Sequence, residues 1–212
     1  SSTIPAKMSM EVLGDLCLPF GKPEIWNADE GLILPSSLVE SDSGQKSIGN
    51  QFLPVSWQSL HHDEKLLEDS LEPSIVALID APQLAERPGK LVEALDAIRR
   101  RFPTSLIWTP GIGGPDNCAL LSWMGVDLFD FSRSQEAVAR GVLLTEDGPR
   151  EPESTAGEIS DLKTQLEAWE RALGATRSAI REGTIRQLAE RQALSSPRSV
   201  ERLRRHDLIM SE

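Results

Sequence analysis

The chain has 212 residues, 39% of them hydrophobic, and its 22 Lys and Arg stand against 33 Asp and Glu for a net charge of -11. That hydrophobic share is too high for a disordered chain. No stretch approaches the roughly 20 apolar residues of a membrane span, and a uniformly basic nucleic-acid-coating surface is excluded. The length suits one substantial core, whereas a complete eight-unit α/β barrel needs about 250 residues. Cys17 and Cys118 stand in unrelated contexts and no signal-peptide pattern precedes them. The expectation is therefore a cytoplasmic protein with reduced thiols, no cysteine-rich metal site and no cofactor.

In chain order, residues 11–20 read as a short apolar strand ended by Pro19, and residues 31–39 as a second one interrupted by Pro35. Residues 40–50 are a polar loop without phosphate-loop spacing. Residues 51–57 suit a further strand, and residues 61–71 a short polar helix. His61, His62 and Asp63 read as exposed positions, since adjacent histidines point in different directions.

Element types then alternate clearly. Residues 74–79 are a continuous apolar run ending at Asp80, the pattern of a strand buried on both faces. Residues 88–101 form an amphipathic helix with Leu91, Val92, Leu95 and Ile98 on one face. A strand at 106–108, the glycine-rich run Pro110 to Pro115, a helix near 117–124 and a strand at 126–129 follow. Such alternation favours a parallel sheet. Residues 144–157 are rich in Glu, Pro and Gly and read as an exposed linker. Beyond them Leu162, Leu166, Trp169, Leu173 and Ile180 make a stripe on a helix of about 20 residues, broken at Gly183 and Thr184. Helices at 185–194 and 200–205 complete the chain.

Charge is uneven. Residues 161–206 hold ten Lys or Arg against six Asp or Glu, a local charge of +4 that leaves -15 for the remainder. Arg177, Arg181, Arg186, Arg204 and Arg205 are accordingly candidates to meet RNA or a partner subunit. The alternatives are a solvated face or docking on an acidic neighbouring domain.

The segment from Met124 to Gly148 resembles the strand and loop that carry the catalytic aspartate in the tRNA-guanine transglycosylase family. The resemblance rests on the GVDLFD core, Ala139-Arg140-Gly141, and Leu144-Thr145 before a glycine turn. Ala179-Ile180-Arg181-Glu182-Gly183 and Glu190-Arg191 are similar to the helices that close the archaeal catalytic domain, and similarity runs from Ile98 to the C-terminus. The implied fold is α/β: a shortened or incomplete TIM-like (β/α) barrel over residues 11–148, a linker at 149–160 and a helical tail at 161–206. The abbreviation resembles the N-terminal domain of the archaeosine synthases.

What the resemblance implies for chemistry is base exchange on a guanine in tRNA, with Asp130 as the carboxylate that attacks the ribose carbon. Independently of the family, a carboxylate just after a parallel strand stands at the sheet's C-terminal edge. An anion there suits a cationic transition state at a sugar carbon. The plainer reading is that Asp130 caps the next helix or holds Arg133. Asp127 suits a structural hydrogen bond or ion pair. Asp42, in Asp42-Ser43-Gly44-Gln45, resembles either the family's base-binding aspartate or a chance match. Asp80, Gly113, Gly114 and Arg133 are candidate substrate-binding residues, the glycines serving either close ligand approach or a tight turn. Cys118 reads as a core thiol. The family's zinc cluster has no counterpart, because residues 146–161 contain neither Cys nor His.

Two functions follow as expectations. One is a transglycosylase-like enzyme of 7-deazaguanine tRNA modification. The other is a noncatalytic partner or scaffold subunit of a tRNA-modifying complex, with tRNA or a homologous subunit as partner, oligomeric and without membrane contact.

Overall fold

Short aliphatic runs flanked by turn formers become the strands of one parallel sheet. The computed structural model describes residues 52–62, 73, 75–151 and 161–211. Strand β1 (Phe52–Val55) lies parallel to β2 (Ile75–Leu78), with Phe52 opposite Ile75 and Val55 opposite Leu78. On the other side of β2 lies β3 (Leu106–Trp108), with Ile75 opposite Leu106 and Ala77 opposite Trp108. All four β2 residues are buried, as a parallel strand covered on both faces must be. The expectations over residues 11–50, including Asp42, lie outside the described residues.

In place of the strand expected at 126–129, a parallel bridge from Trp108 to Leu128 joins this segment to the residue that ends the 106–108 strand among the described residues. Asp127 explains the difference. Its Oδ2 accepts from the Ile107 N–H at 2.9 Å, while the N–H groups of Asp127 and Leu128 both donate to Ile107 O. A side chain thus occupies a donor that a regular ladder would use. Arg99 holds Asp127 at 2.7 Å and donates to the carbonyls of Ser105 and Gly125, giving Asp127 the structural ion pair that its sequence position suggests.

Helix α1 (Trp57–His62) begins earlier than the sequence reading places it, and residues 63–72 lie outside the description. Helix α2 (Ala81–Ala85) follows β2, and α3 (Pro88–Arg101) leads into β3. On α3, Leu91, Val92, Leu95 and Ile98 are buried, matching their helical spacing. Helix α4 (Cys118–Trp123) precedes the Leu128 bridge, and α5 (Ser132–Ala139) follows it. Strands β4 (Leu143–Thr145) and β5 (Gly148–Arg150) then form an antiparallel hairpin whose turn uses Gly148 at φ 124°. Pro149 and Arg150 therefore belong to a strand, which corrects the linker boundary at residue 149.

Helices α6 (Leu162–Arg181), α7 (Ile185–Ala193) and α8 (Pro197–Ser211) are not a tail. Trp169, Ala172, Leu173, Ala189, Ala193 and Leu203 share one hydrophobic cluster with Val76, Leu95, Ile107, Leu120 and Phe129. α6 and α7 pack on α4, and α8 packs on α3. Among the described residues the parallel sheet does not close on itself, and no described helix is long and apolar enough to cross a membrane.

Candidate functional site

Because the three strands and the Leu128 bridge are parallel, the residues that follow them gather along one edge of the sheet: Trp57 after β1, Asp80 after β2, Thr109 after β3 and Asp130 after the bridge. In open parallel sheets this edge is where ligands bind. The polar side chains here are the molecule's candidate site.

Asp130 is 3% exposed, and both of its oxygens are engaged. Oδ2 accepts from Trp108 Nε1 at 3.1 Å and from Gly111 N at 2.8 Å, and Oδ1 accepts from Ser132 N at 2.9 Å. The carboxylate ties β3, the 109–117 loop and the start of α5 together. The helix-capping alternative describes this geometry, but Arg133 is not the partner: it forms a two-pronged pair with Asp116, at 2.7 Å through Nη2. Asp80 accepts from Trp57 N at 3.0 Å through Oδ2, while its Oδ1 and the buried Thr109 Oγ1 meet no acceptor or donor among the described residues.

The 109–117 loop is braced along its length. Asn117 accepts from Gly114 N at 2.8 Å and donates to Ile112 O at 2.9 Å. Gln192, from α7, donates to Pro115 O at 2.9 Å and accepts from Ala119 N and Leu120 N, so a residue 73 positions away caps α4. Both glycine candidates are consumed by packing. A Cβ on Gly113 would stand 2.7 Å from Phe129 Cδ1, and one on Gly114 would overlap Arg133 and Asp116. They permit close approach of side chains, and the turn conformation itself falls to Gly111 at φ 74°.

Next to Asp130, sharing Gly111 as part of its wall, opens a cleft of about 420 Å³ lined also by Asp116, Arg133, Arg198 and Arg202. This volume lies within the range of roughly 300–1,000 Å³ typical of small-ligand pockets. Arg198 pairs with Glu86 at 2.6 Å. Arg202 is 8% exposed, donates Nη2 to Ala85 O at 2.6 Å, has no acceptor for Nε and pairs with no carboxylate among the described residues. Burial first, then repulsion from Arg133 and Arg198, pulls its guanidinium below the ordinary arginine value.

Sequence reading singled out neither Arg198 nor Arg202. The signal for the pair was their four-residue spacing after Ser196-Pro197, a helix start that puts both on one face. Of the arginines proposed to meet RNA, Arg186 pairs with Asp207 at 2.7 Å and Arg205 with Glu93 on α3, so the fold itself employs them. Arg181 and Arg204 are exposed, and Arg177 is half-buried.

Cys118 is a core thiol: burial pushes it up to about 11, and it lies 3.4 Å from Thr176 Oγ1. His61 and His62 are exposed, His61 stacking on Trp57 at 4.2 Å between ring centroids. Compared with protein-family models the chain matches none, and no curated protein matches it.

Proposed function

We propose that the chain is a transglycosylase-like α/β subunit of 7-deazaguanine tRNA modification that contributes surface rather than the base-exchange nucleophile. The observation that carries this reading is Asp130: a carboxylate only 3% exposed whose oxygens accept three hydrogen bonds, from Trp108, Gly111 and Ser132, keeps roughly one of its four lone-pair sites and almost no accessible surface for a sugar carbon. Breaking such a buried arrangement to free a nucleophile would leave three donors unpaired. The parallel β1-β2-β3 order, continued by the Leu128 bridge, is the sequential order that (β/α) barrels use, which supports a shortened barrel of this type.

A second reading keeps Asp130 as nucleophile, and one observation favours it. Asp130 stands at the C-terminal edge, and the loop residue it holds, Gly111, also lines the cleft. Labelled-guanine exchange into transcript tRNA separates the two. Wild type and Asp130→Ala alone are expected to give no exchange, and the chain is expected to raise exchange when added to a catalytically competent transglycosylase subunit. Exchange by the wild type alone that Asp130→Ala abolishes, in a variant that still folds, would establish the nucleophile instead.

A further inference from the structure

The cleft beside Asp130 holds three arginines from two elements. Arg133 comes from α5, and Arg198 and Arg202 from the first turns of α8. Its carboxylates are already engaged: Asp116 by Arg133, Glu86 by Arg198, and Glu136 by Arg140 at its rim. Arg202 is the exception. A guanidinium has five N–H donors, and among the described residues Arg202, itself only 8% exposed, makes one hydrogen bond, to Ala85 O, and finds no acceptor for Nε and no carboxylate partner. A buried cation without a counter-ion is costly, and a bound anion would remove that cost.

We infer that this cleft is a receptor for a phosphate monoester, with Arg202 as its deep cationic contact and Arg198 at its mouth. Arginine forks match phosphate oxygens in pairs. The N-terminal end of α8 adds positive field, although Ser196 engages the N–H groups of Ser199 and Val200, so the helix supplies potential more than bonds. Arg198 and Glu86 are both more than half exposed, so their pair is a weak one that an arriving phosphate can displace. The cleft volume of about 420 Å³ accommodates more than the phosphate, pointing to a nucleotide-sized group behind it.

The phosphate has two possible carriers, a free mononucleotide or the 5′ end of an RNA. The site itself stands on the geometry, and only the nucleic-acid nature of the carrier rests on the proposed function.

The test is isothermal titration of the full chain with inorganic phosphate, GMP, guanosine, and an RNA oligonucleotide bearing either a 5′-phosphate or a 5′-hydroxyl. The wild type is expected to prefer the phosphorylated member of at least one pair by about tenfold or more, the scale of a charge-assisted contact. Saturation by GMP identifies a mononucleotide site, and preference confined to the oligonucleotide pair identifies an RNA end. Arg202→Gln and Arg198→Gln should each weaken that binding by about tenfold, and Arg171→Gln, exposed on α6 outside the cleft, should not. Thermal unfolding checks each variant, and if Arg202→Gln does not fold, Arg198→Gln and the wild-type pairs decide. The inference is overturned by equal binding of phosphorylated and unphosphorylated probes, by equal weakening in Arg171→Gln, or by no saturable binding of any probe. Loss of phosphate binding alongside retained stimulation of exchange would remove the pocket and leave the subunit reading standing.

Discussion

Gly113 and Gly174 show how differently one residue type serves this chain. Gly174 lies inside α6 and is exposed, and a Cβ there meets nothing within 4 Å. Gly174→Ala should therefore stabilise the protein by about 0.5–1 kcal/mol through helix propensity alone. Gly113→Ala should destabilise it by about 1–3 kcal/mol, because its Cβ would stand 2.7 Å from the Phe129 ring, which itself leans on Trp169 at 5.9 Å between centroids. Urea unfolding of the two variants checks both signs at once, and equal effects would contradict the packing account. Asp130→Asn offers a complementary comparison. An amide supplies only one acceptor oxygen for the two positions that the carboxylate fills, so a loss of about 1–3 kcal/mol is expected in the same measurement.

At the scale of elements, α6 turns a slightly different face inward from the one its large apolar residues mark. Leu162 and Leu166 are more than 40% exposed, whereas Gln165, Ala168, Trp169, Ala172, Leu173, Thr176 and Ala179 are buried. Small residues let the helix approach α4 and the hairpin closely, and Trp169 fills the space with its Nε1 donating to Ser134 Oγ at 2.8 Å. Helix α8 extends to Ser211, beyond the 200–205 segment that its apolar pattern suggests, because Arg205 pairs with Glu93 and His206 packs edge-on against Trp123 at 5.8 Å.

Burial holds the His206 imidazole below its ordinary value. Asp207 and Asp96 partly oppose this, while Arg186 adds to it. The unfolded chain therefore takes up this proton more readily than the folded one. The stability contributed by neutral His206 is complete above about pH 6.5 and declines as pH falls below it. Between about pH 8 and pH 5.5, His206→Gln should lose less melting temperature than the wild type. Parallel slopes would show that this histidine does not govern the docking of α8.

For the molecule as a whole, the C-terminal helices complete the core instead of trailing from it. Gln192 caps α4, Trp169 and Leu173 join the cluster around Phe129, and Arg202 donates to Ala85 O. A chain ending at residue 160 would expose that cluster and strand the α4 N-terminus. Such a truncation should lack a cooperative unfolding transition, and near-UV circular dichroism together with calorimetry would reveal one if the helices were dispensable.

Local chemistry alone specified much of this protein. The run at 75–78 had to be a strand sheltered on both sides, because it is continuously aliphatic and too short for a helix. The period of Leu91, Leu95 and Ile98 fixed the inward face of α3, and the Arg-rich composition after residue 160 fixed where positive charge would lie. Those properties depend on neighbours a few positions apart. Tertiary structure decided the rest: that Asp127 replaces a ladder hydrogen bond, that Asp130 is enclosed by Trp108, Gly111 and Ser132, that Arg186 and Arg205 serve the fold, and that Arg202, bonded to Ala85 O, has no carboxylate partner among the described residues beside a cleft. Each is a pairing between groups far apart in the chain. Sequence shows that a charge is present, but only the folded arrangement determines which charges neutralise one another and which remain for a ligand.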